Sequence, residues 1–339
     1  MIRTIGAAFA FTLLLCAWSA GAAAQTNPVC VAYQQYCPAC GDPGIGFFNC
    51  VNEGSFLDVC QVMNNLCPPP AAPQETCPSC NQRPIAAGSP ISLATGNTYI
   101  EENDVRVPGL SGGLTLTRTW NSAWPVTQSA LQIGLFGPNW RSNFEERVFV
   151  GSDHYIKYAR GDGSFWSFGY NGGTWNVAAP ANVVASLAVG SPTWTLNFQN
   201  GEQRFFDNTT GRLTAIVDRN GNATQLTYDS LGRLVTVTDP VSRHLYFAYG
   251  SGSSYLVTGI TSDLGLTLSY SYDTQGRLAQ VTSPDLSTYT FQYNSQSLVT
   301  SVTDSNSKIL ESHTYDTSAR GLTSSRAAGV DALTISYIP

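Results

Sequence analysis

The chain has 339 residues, 42% of them hydrophobic and only 12% charged, with a formal net charge of −6. The acidic balance, with lysine confined to Lys157 and Lys308 and no basic run, excludes an electrostatic nucleic-acid footprint. A charged fraction about half the usual ~25% leaves Thr, Ser, Asn and Gln to cover the surface, as in many extracellular β proteins.

Residues 1–24 carry Arg3, an apolar run from Ile5 to Trp18, and small residues ending Ala22-Ala23-Ala24. This is the layout of a cleaved secretory signal peptide; the run is shorter than the ~20 residues of a spanning helix. The expected location is secreted, periplasmic or cell-surface, with no transmembrane segment.

Residues 25–83 hold Cys30, Cys37, Cys40, Cys50, Cys60, Cys67, Cys77 and Cys80, and no cysteine follows. An even count clustered in a short exported segment predicts a disulfide-rich module, with the pairing left open among 105 possibilities. Two C-x-x-C pairs, 37–40 and 77–80, also permit a zinc site, but the segment has no His and the spacing is unlike zinc ribbons. Residues 56–66 could form a short helix, and residues 68–76, PPPAAPQET, a semi-rigid spacer.

From residue 84 the pattern becomes short Thr-, Tyr-, Phe- and Val-rich segments separated by Gly, Asn and Asp, an all-β signature. Two parts are expected: a β domain over 84–193 and a repeat array over 194–339. In the array, Leu213, Leu234, Val257, Leu278 and Val299 recur at intervals of 21 to 23 residues. Three residues after each comes Ile216, Val237, Ile260, Val281 or Val302, and an aromatic (Phe206, Tyr228, Tyr249, Tyr272, Tyr293) precedes each turn. A sixth, decaying unit starts at Tyr315-Asp316, with Leu322 and Ser325 at its anchor positions. Such a period signals stacked supersecondary units.

Within Tyr228-Asp229-Ser230-Leu231-Gly232-Arg233-Leu234, Asp can accept a bond from a backbone N–H two residues on, and Gly supplies positive φ. The same roles fall to Asp207, Gly211, Arg212 and Leu213, and to Tyr272, Asp273, Gly276, Arg277 and Leu278. Residues three apart on a strand point to opposite faces, so Leu234 and Val237 are expected on opposite sides unless a bulge intervenes. Burial on both faces would suit a sheet that curls around contents or is covered by another layer.

The segments YDSLGRLVTVTD and YDTQGRLAQVTS resemble the YD repeats of Rhs-type proteins. AGSPISLATGNTYIEENDVRVPG (87–109), LTLTRTWNS (114–122) and LFGPNWRSNFEE (135–146) are similar to the domain preceding those repeats, and residues 194–222 to the entry into the array. The resemblance covers residues 84–339. It implies a curved or spiralling antiparallel sheet of YD-repeat hairpins, as in shells that enclose a toxin domain. Five or six repeats are far fewer than a complete shell needs, which suggests a truncated relative. The implied partners are a toxin domain or further repeats in a longer product. An open last strand would favour self-association, or fraying after residue 315.

Other motifs are weighed against turn and core readings. Gly109-Leu110-Ser111-Gly112-Gly113 fits G-x-S-x-G but lacks a strand–turn–helix context. His154, His244 and His313 lie at no ligand spacing. Arg160-Gly161-Asp162 sits in a Gly-rich hairpin turn, and Asp218–Asn222 opens like a calcium loop without its closing Glu. Asn208 and Asn222 fit a glycan acceptor pattern. Trp166, Trp175 and Trp194, in successive β segments, are candidates for stacking on a carbohydrate, although sheet aromatics are more often core. No catalytic residue, cofactor or metal ligand is assigned. The leading reading is a non-enzymatic exported shell, carrier or display element in intercellular competition; the alternative is a β protein binding cell-surface glycans.

Overall fold

The computed structural model describes residues 86–337 apart from 88–89, 94, 125–130, 152–154, 172–173, 181 and 253. The signal segment, all eight cysteines of the expected module and His154 lie outside the described residues. What is described is all-β and dominated by antiparallel strand pairing. The chain divides into two compact units. Of the described residues, Arg147–Tyr158 and Trp166–Arg212 belong to the first, and those before Arg147, Ala159–Phe165 and everything from Leu213 onward to the second. No described helix is long and apolar enough to cross a membrane.

In the first unit the antiparallel strands Thr174–Ala179, Ala185–Ala188, Thr193–Phe198 and Gln203–Asp207 follow one another in chain order. Their core is aromatic: Tyr158 meets Trp166, Phe198 and Phe206 at ring-centroid distances of 5.5, 6.5 and 5.8 Å, all edge-on.

In the second unit the repeats form an antiparallel meander from Leu213–Val217 to Val330–Thr334, each strand paired with its successor. The expectation that anchors three apart face opposite ways is resolved by a bulge. Tyr228 pairs with Leu234 but Thr227 with Thr236, so Val235 is an extra residue. The same step leaves Thr258, Ala279, Thr300 and Leu322 unmatched opposite Tyr249, Tyr272, Tyr293 and Tyr315. One inserted residue inverts the alternation. Leu234 and Val237 therefore lie on one face, and both are buried, as are Val257 with Ile260, Leu278 with Val281, and Val299 with Val302. Burial is one-sided, and the other face carries exposed residues such as Gln225, Thr227, Tyr246 and Gln292.

The sixth unit is placed one residue off by sequence alone. Gly321, not Leu322, pairs with Tyr315, and Ser324, not Ser325, takes the second buried position. The array also runs on past residue 315: Gly321–Arg326 and Val330–Thr334 pair antiparallel, and Tyr337 docks behind them.

The turns opening at Asp218, Asp229, Asp239, Ser262, Asp273, Ser283, Asn294, Asp304 and Asp316 share one geometry. The carbonyl of the opening residue accepts an N–H from the residue three along, which has positive φ. Glycine fills that position at 221, 232, 265 and 276, but Ser242, Leu286, Ser297, Ser307 and Ala319 hold it in other turns. Leu286, at φ 67 and 80% exposed, combines backbone strain with a solvated apolar side chain. A left-handed L-residue costs roughly 1–2 kcal/mol, partly offset in glycine by its unfolded-state entropy. Leu286→Gly is therefore expected to raise stability by about 0.5–1 kcal/mol, read as a higher urea midpoint with unchanged slope.

Candidate functional site

The repeat motif builds a cross-linked ladder. In the Asp229 turn, Oδ1 accepts the backbone N–H groups of Leu231 and Arg233 at 3.0 and 2.9 Å, and Oδ2 accepts Arg233 Nε–H at 2.7 Å. Asp273 with Arg277 and Asp316 with Arg320 repeat this set. So does Asp239 with Arg243, in the turn at the opposite end of the strands. The backbone N–H of Arg233, then its guanidinium, holds the Asp229 carboxyl below the usual carboxylate range.

The positioned arginine then serves the next repeat. Arg233, Arg277 and Arg320 lie over the rings of Tyr249, Tyr293 and Tyr337 at 4.7, 4.7 and 4.1 Å. Each tyrosine in turn donates its hydroxyl to the anchor carbonyl of the preceding repeat: Tyr228 to Leu213, Tyr249 to Leu234, Tyr272 to Val257, Tyr293 to Leu278, Tyr315 to Val299 and Tyr337 to Gly321, at 2.7–2.8 Å. Tyr, Asp, Gly, Arg and the aliphatic anchor thus have distinct structural tasks, and the motif joins neighbours as well as shaping a turn. The first unit departs from the pattern. Its loop is one residue longer, and Asp207 Oδ1 accepts Thr209 N–H, Thr210 N–H and the Thr210 hydroxyl, with Gly211 at φ 68.

Within the second unit, the segment from Ala86 to Glu146 packs against the face that the anchors bury. Its main element is a hairpin, Tyr99–Val107 with Leu114–Asn121, extended by Trp140–Ser142. Trp140 meets Phe291 at 5.3 Å, Phe136 meets Tyr270 at 4.9 Å, and Trp120 meets Tyr315 at 6.5 Å. The Val257 N–H donates to the Leu135 carbonyl at 2.9 Å. Gly137, at φ 93, lies where an added Cβ would stand 2.7 Å from the Gly276 carbonyl, so its lack of a side chain permits this approach.

A buried charge cluster sits at the centre of that packing. Arg118 is 1% exposed, ringed by Trp140, Phe136 and Tyr270 at 4.6, 5.4 and 5.5 Å. It grips Asp104 bidentately, through Nε and through Nη2 at 2.8 Å. The Tyr270 hydroxyl, from the repeats, donates to Asp104 Oδ2 at 2.6 Å. A bulge makes this possible: Asn103 pairs with Thr117 and Val105 with Leu116, leaving Asp104 as the extra residue. Burial opposes charge on Arg118, but Asp104 beside it holds the guanidinium protonated above its ordinary range. Arg118 is absent from the sequence-derived site residues. The available signal is parity, since it lies between Leu116 and Trp120 on the inward face of an alternating strand.

The remaining sequence candidates resolve individually. Ser111 lies in a short 3-10 turn at the hairpin tip, φ 52, with no strand–turn–helix elbow around it. In the Arg160–Ser164 turn, Gly163 N–H donates to the Arg160 carbonyl and Asp162 pairs with Arg160 at 3.0 Å, which is a closed hairpin turn. Asp218 spends its oxygens on Asn220 and Asn222, and among the described residues no cluster of His, Cys, Asp or Glu could hold a metal. His244 bonds Asp263 through Nδ1 at 2.5 Å on the exposed face, and His313 is buried with Nε2 3.4 Å from Glu311. Trp166, Trp175 and Trp194 are 7%, 8% and 0% exposed, so the rings expected to stack on a glycan are core residues of the first unit. Sheet packing claims their faces.

Comparison with known proteins places these features. A family model described as a domain of unknown function, DUF6531, matches residues 88–168, and the RHS Repeat model matches residues 208–243 and 256–288. Among curated proteins the chain is similar to the tRNA nuclease WapA of Bacillus subtilis strain 168 and the tRNA3(Ser)-specific nuclease WapA of Bacillus spizizenii. Each is 29% identical over 145 residues, which is 42% of this chain and 6% of the relative. The chain thus spans a small fraction of the curated relatives it matches. Among solved structures, the TcdB2-TccC3-Cdc42 complex aligns at 12% identity over 55% of this chain and 12% of that one, TM-score 0.31. The Photorhabdus luminescens Tc holotoxin pore aligns at 12% identity over 68% and 15%, TM-score 0.29.

Proposed function

Because the chain is an Rhs/YD-repeat protein, we propose that it is an exported, non-enzymatic wall segment of a carrier that holds a toxin polypeptide. The carrying observation is the asymmetry of the repeat sheet. One face is apolar and covered by the chain's own residues 86–146, while the other exposes polar residues such as Gln225, Thr227 and Gln292. The ladder of tyrosine hydroxyls and Asp–Arg turns supports the same role, because it lets each repeat seat the next without new chemistry. In this reading further repeats continue the sheet into a curved or spiralling wall, and the activity of the relatives named as nucleases resides in the much larger remainder of those proteins.

The test is the natural product itself. Intact mass and peptide mapping of the protein from its producing cells should show export and a C-terminal extension in which repeats give way to an unrelated domain. That domain should be protease-resistant only while joined to intact repeats. A retained cytoplasmic product with neither extension nor bound polypeptide would overturn the proposal.

A further inference from the structure

The seam between the hairpin Tyr99–Val107/Leu114–Asn121 and the repeats holds more negative charge than its one arginine can match. From the hairpin come Glu102, Asp104 and Arg118; from the repeats come Tyr270, Tyr272, Glu311 and His313. Glu102 pairs directly across from Arg118 on the hairpin's inward face. Asp104, however, already occupies Arg118 Nε and Nη2 and also accepts the Tyr270 hydroxyl. Glu311 borders the same seam on strand Ile309–Tyr315, where Tyr315 meets the hairpin's Trp120. Glu102 is thus a surplus carboxylate, half-buried, with two like charges near it and its nearest cation committed to a neighbour.

We propose that this seam is a proton-operated latch, in which proton uptake by Glu102 tightens the hairpin onto the repeats and proton loss loosens it. Burial, opposed by Arg118 and reinforced by Asp104 and Glu311, pushes the Glu102 carboxyl up to about 7, within the range where environments differ physiologically. The sign follows from linkage. A carboxyl whose folded value lies above its unfolded value favours the docked state fully at low pH, and that contribution is lost as pH rises through about 7. The latch is therefore tighter in mildly acidic surroundings and looser in alkaline ones, opposite in sense to the Asp–Arg turn clamps, whose depressed carboxyls lose stability only in acid.

The experiment is hydrogen exchange on the full chain at pH 5.5, 7.0 and 8.5, corrected for intrinsic rates and followed at the amides of Ile100, Val105, Leu116 and Trp120. Protection of these amides is expected to fall on the order of tenfold between pH 5.5 and 8.5. Glu102→Gln should hold high protection at all three values, and Glu311→Gln should shrink the change by removing one repelling charge. His313→Gln separates the other titratable neighbour, since it should leave the dependence in place. Unchanged or rising wild-type protection towards pH 8.5 would overturn the latch. So would a dependence that survives in Glu102→Gln or vanishes in His313→Gln. This outcome does not depend on whether the protein carries a toxin.

Discussion

Asp104→Ala is expected to destabilise the second unit by about 3 kcal/mol, whereas Asp104→Leu combined with Arg118→Met should cost only about 1 kcal/mol. Removing Asp104 leaves a guanidinium that is 1% exposed without its bidentate partner, and also takes the acceptor from the Tyr270 hydroxyl. Breaking a buried pair from one side typically costs about 3–5 kcal/mol. Glu102, directly across the hairpin, remains to soften the loss, so the lower end of that range applies here. Replacing both partners removes the orphaned guanidinium, around which the Trp140, Phe136 and Tyr270 rings already form an apolar socket, and leaves the smaller cost of a Tyr270 hydroxyl without its acceptor and a Glu102 carboxyl without its cation. Urea unfolding of the two variants measures the difference. Equal destabilisation of both would mean that the pair contributes net stability instead of specifying how the hairpin seats. In the expected outcome, the double variant instead shows the cost of lost specificity locally, as weaker hairpin protection in hydrogen exchange with little change in global stability.

How far the fold is legible in the sequence depends on the range of the interaction. Turn residues act locally, so Asp229, Gly232 and Arg233 are assignable from a seven-residue window, and their recurrence fixes the repeat. The tyrosine hydroxyl reaches a carbonyl 15 residues back, inside one period, and follows once the register is known. The bulge is half-legible. The three-residue spacing of Leu234 and Val237 is incompatible with one flat face, and an inserted residue is one of only two solutions, but parity alone does not choose between it and a two-faced core. What stays hidden is whatever depends on contact across more than a hundred residues. Tyr270 reaches Asp104 over 166 positions, and no local pattern at either residue encodes that. The tryptophans mislead for the converse reason. An aromatic in an alternating strand has the same sequence signature facing a ligand or a core, and the rings of Tyr158 and Phe198 claim Trp166 for the core.

Gly321→Leu is expected to cost about 3 kcal/mol, although it restores the residue type that the motif prefers. The position is the sixth anchor, equivalent to Leu278 and Val299, and its backbone still receives the Tyr337 hydroxyl at 2.7 Å. The space an anchor side chain would fill is occupied by the chain's own earlier residues. A Cβ there would stand 2.5 Å from Thr98 Oγ1 and 2.8 Å from Ile91 Cδ1. Neither neighbour can withdraw easily. Thr98 is held by Ser122 through both its N–H and its carbonyl, and the Gly321 N–H is bonded to the Gly96 carbonyl at 2.8 Å. Gly96 itself, at φ 74, approaches Arg320 and Tyr337 so closely that a Cβ would lie 2.6 Å from each. Overpacking typically costs about 1–3 kcal/mol, and a site closed by the fully buried side chains of Thr98 and Ile91 belongs at the top of that range. Ile91→Ala alone should also destabilise, by opening a cavity, but the pair Gly321→Leu with Ile91→Ala should recover at least 1 kcal/mol of their summed cost. A double-mutant cycle by urea unfolding measures that coupling. Additive losses would show that Ile91 does not substitute for the missing anchor. A coupled pair would explain why the repeat decays at its sixth unit: the glycine is where an earlier segment supplies the side chain that the motif omits.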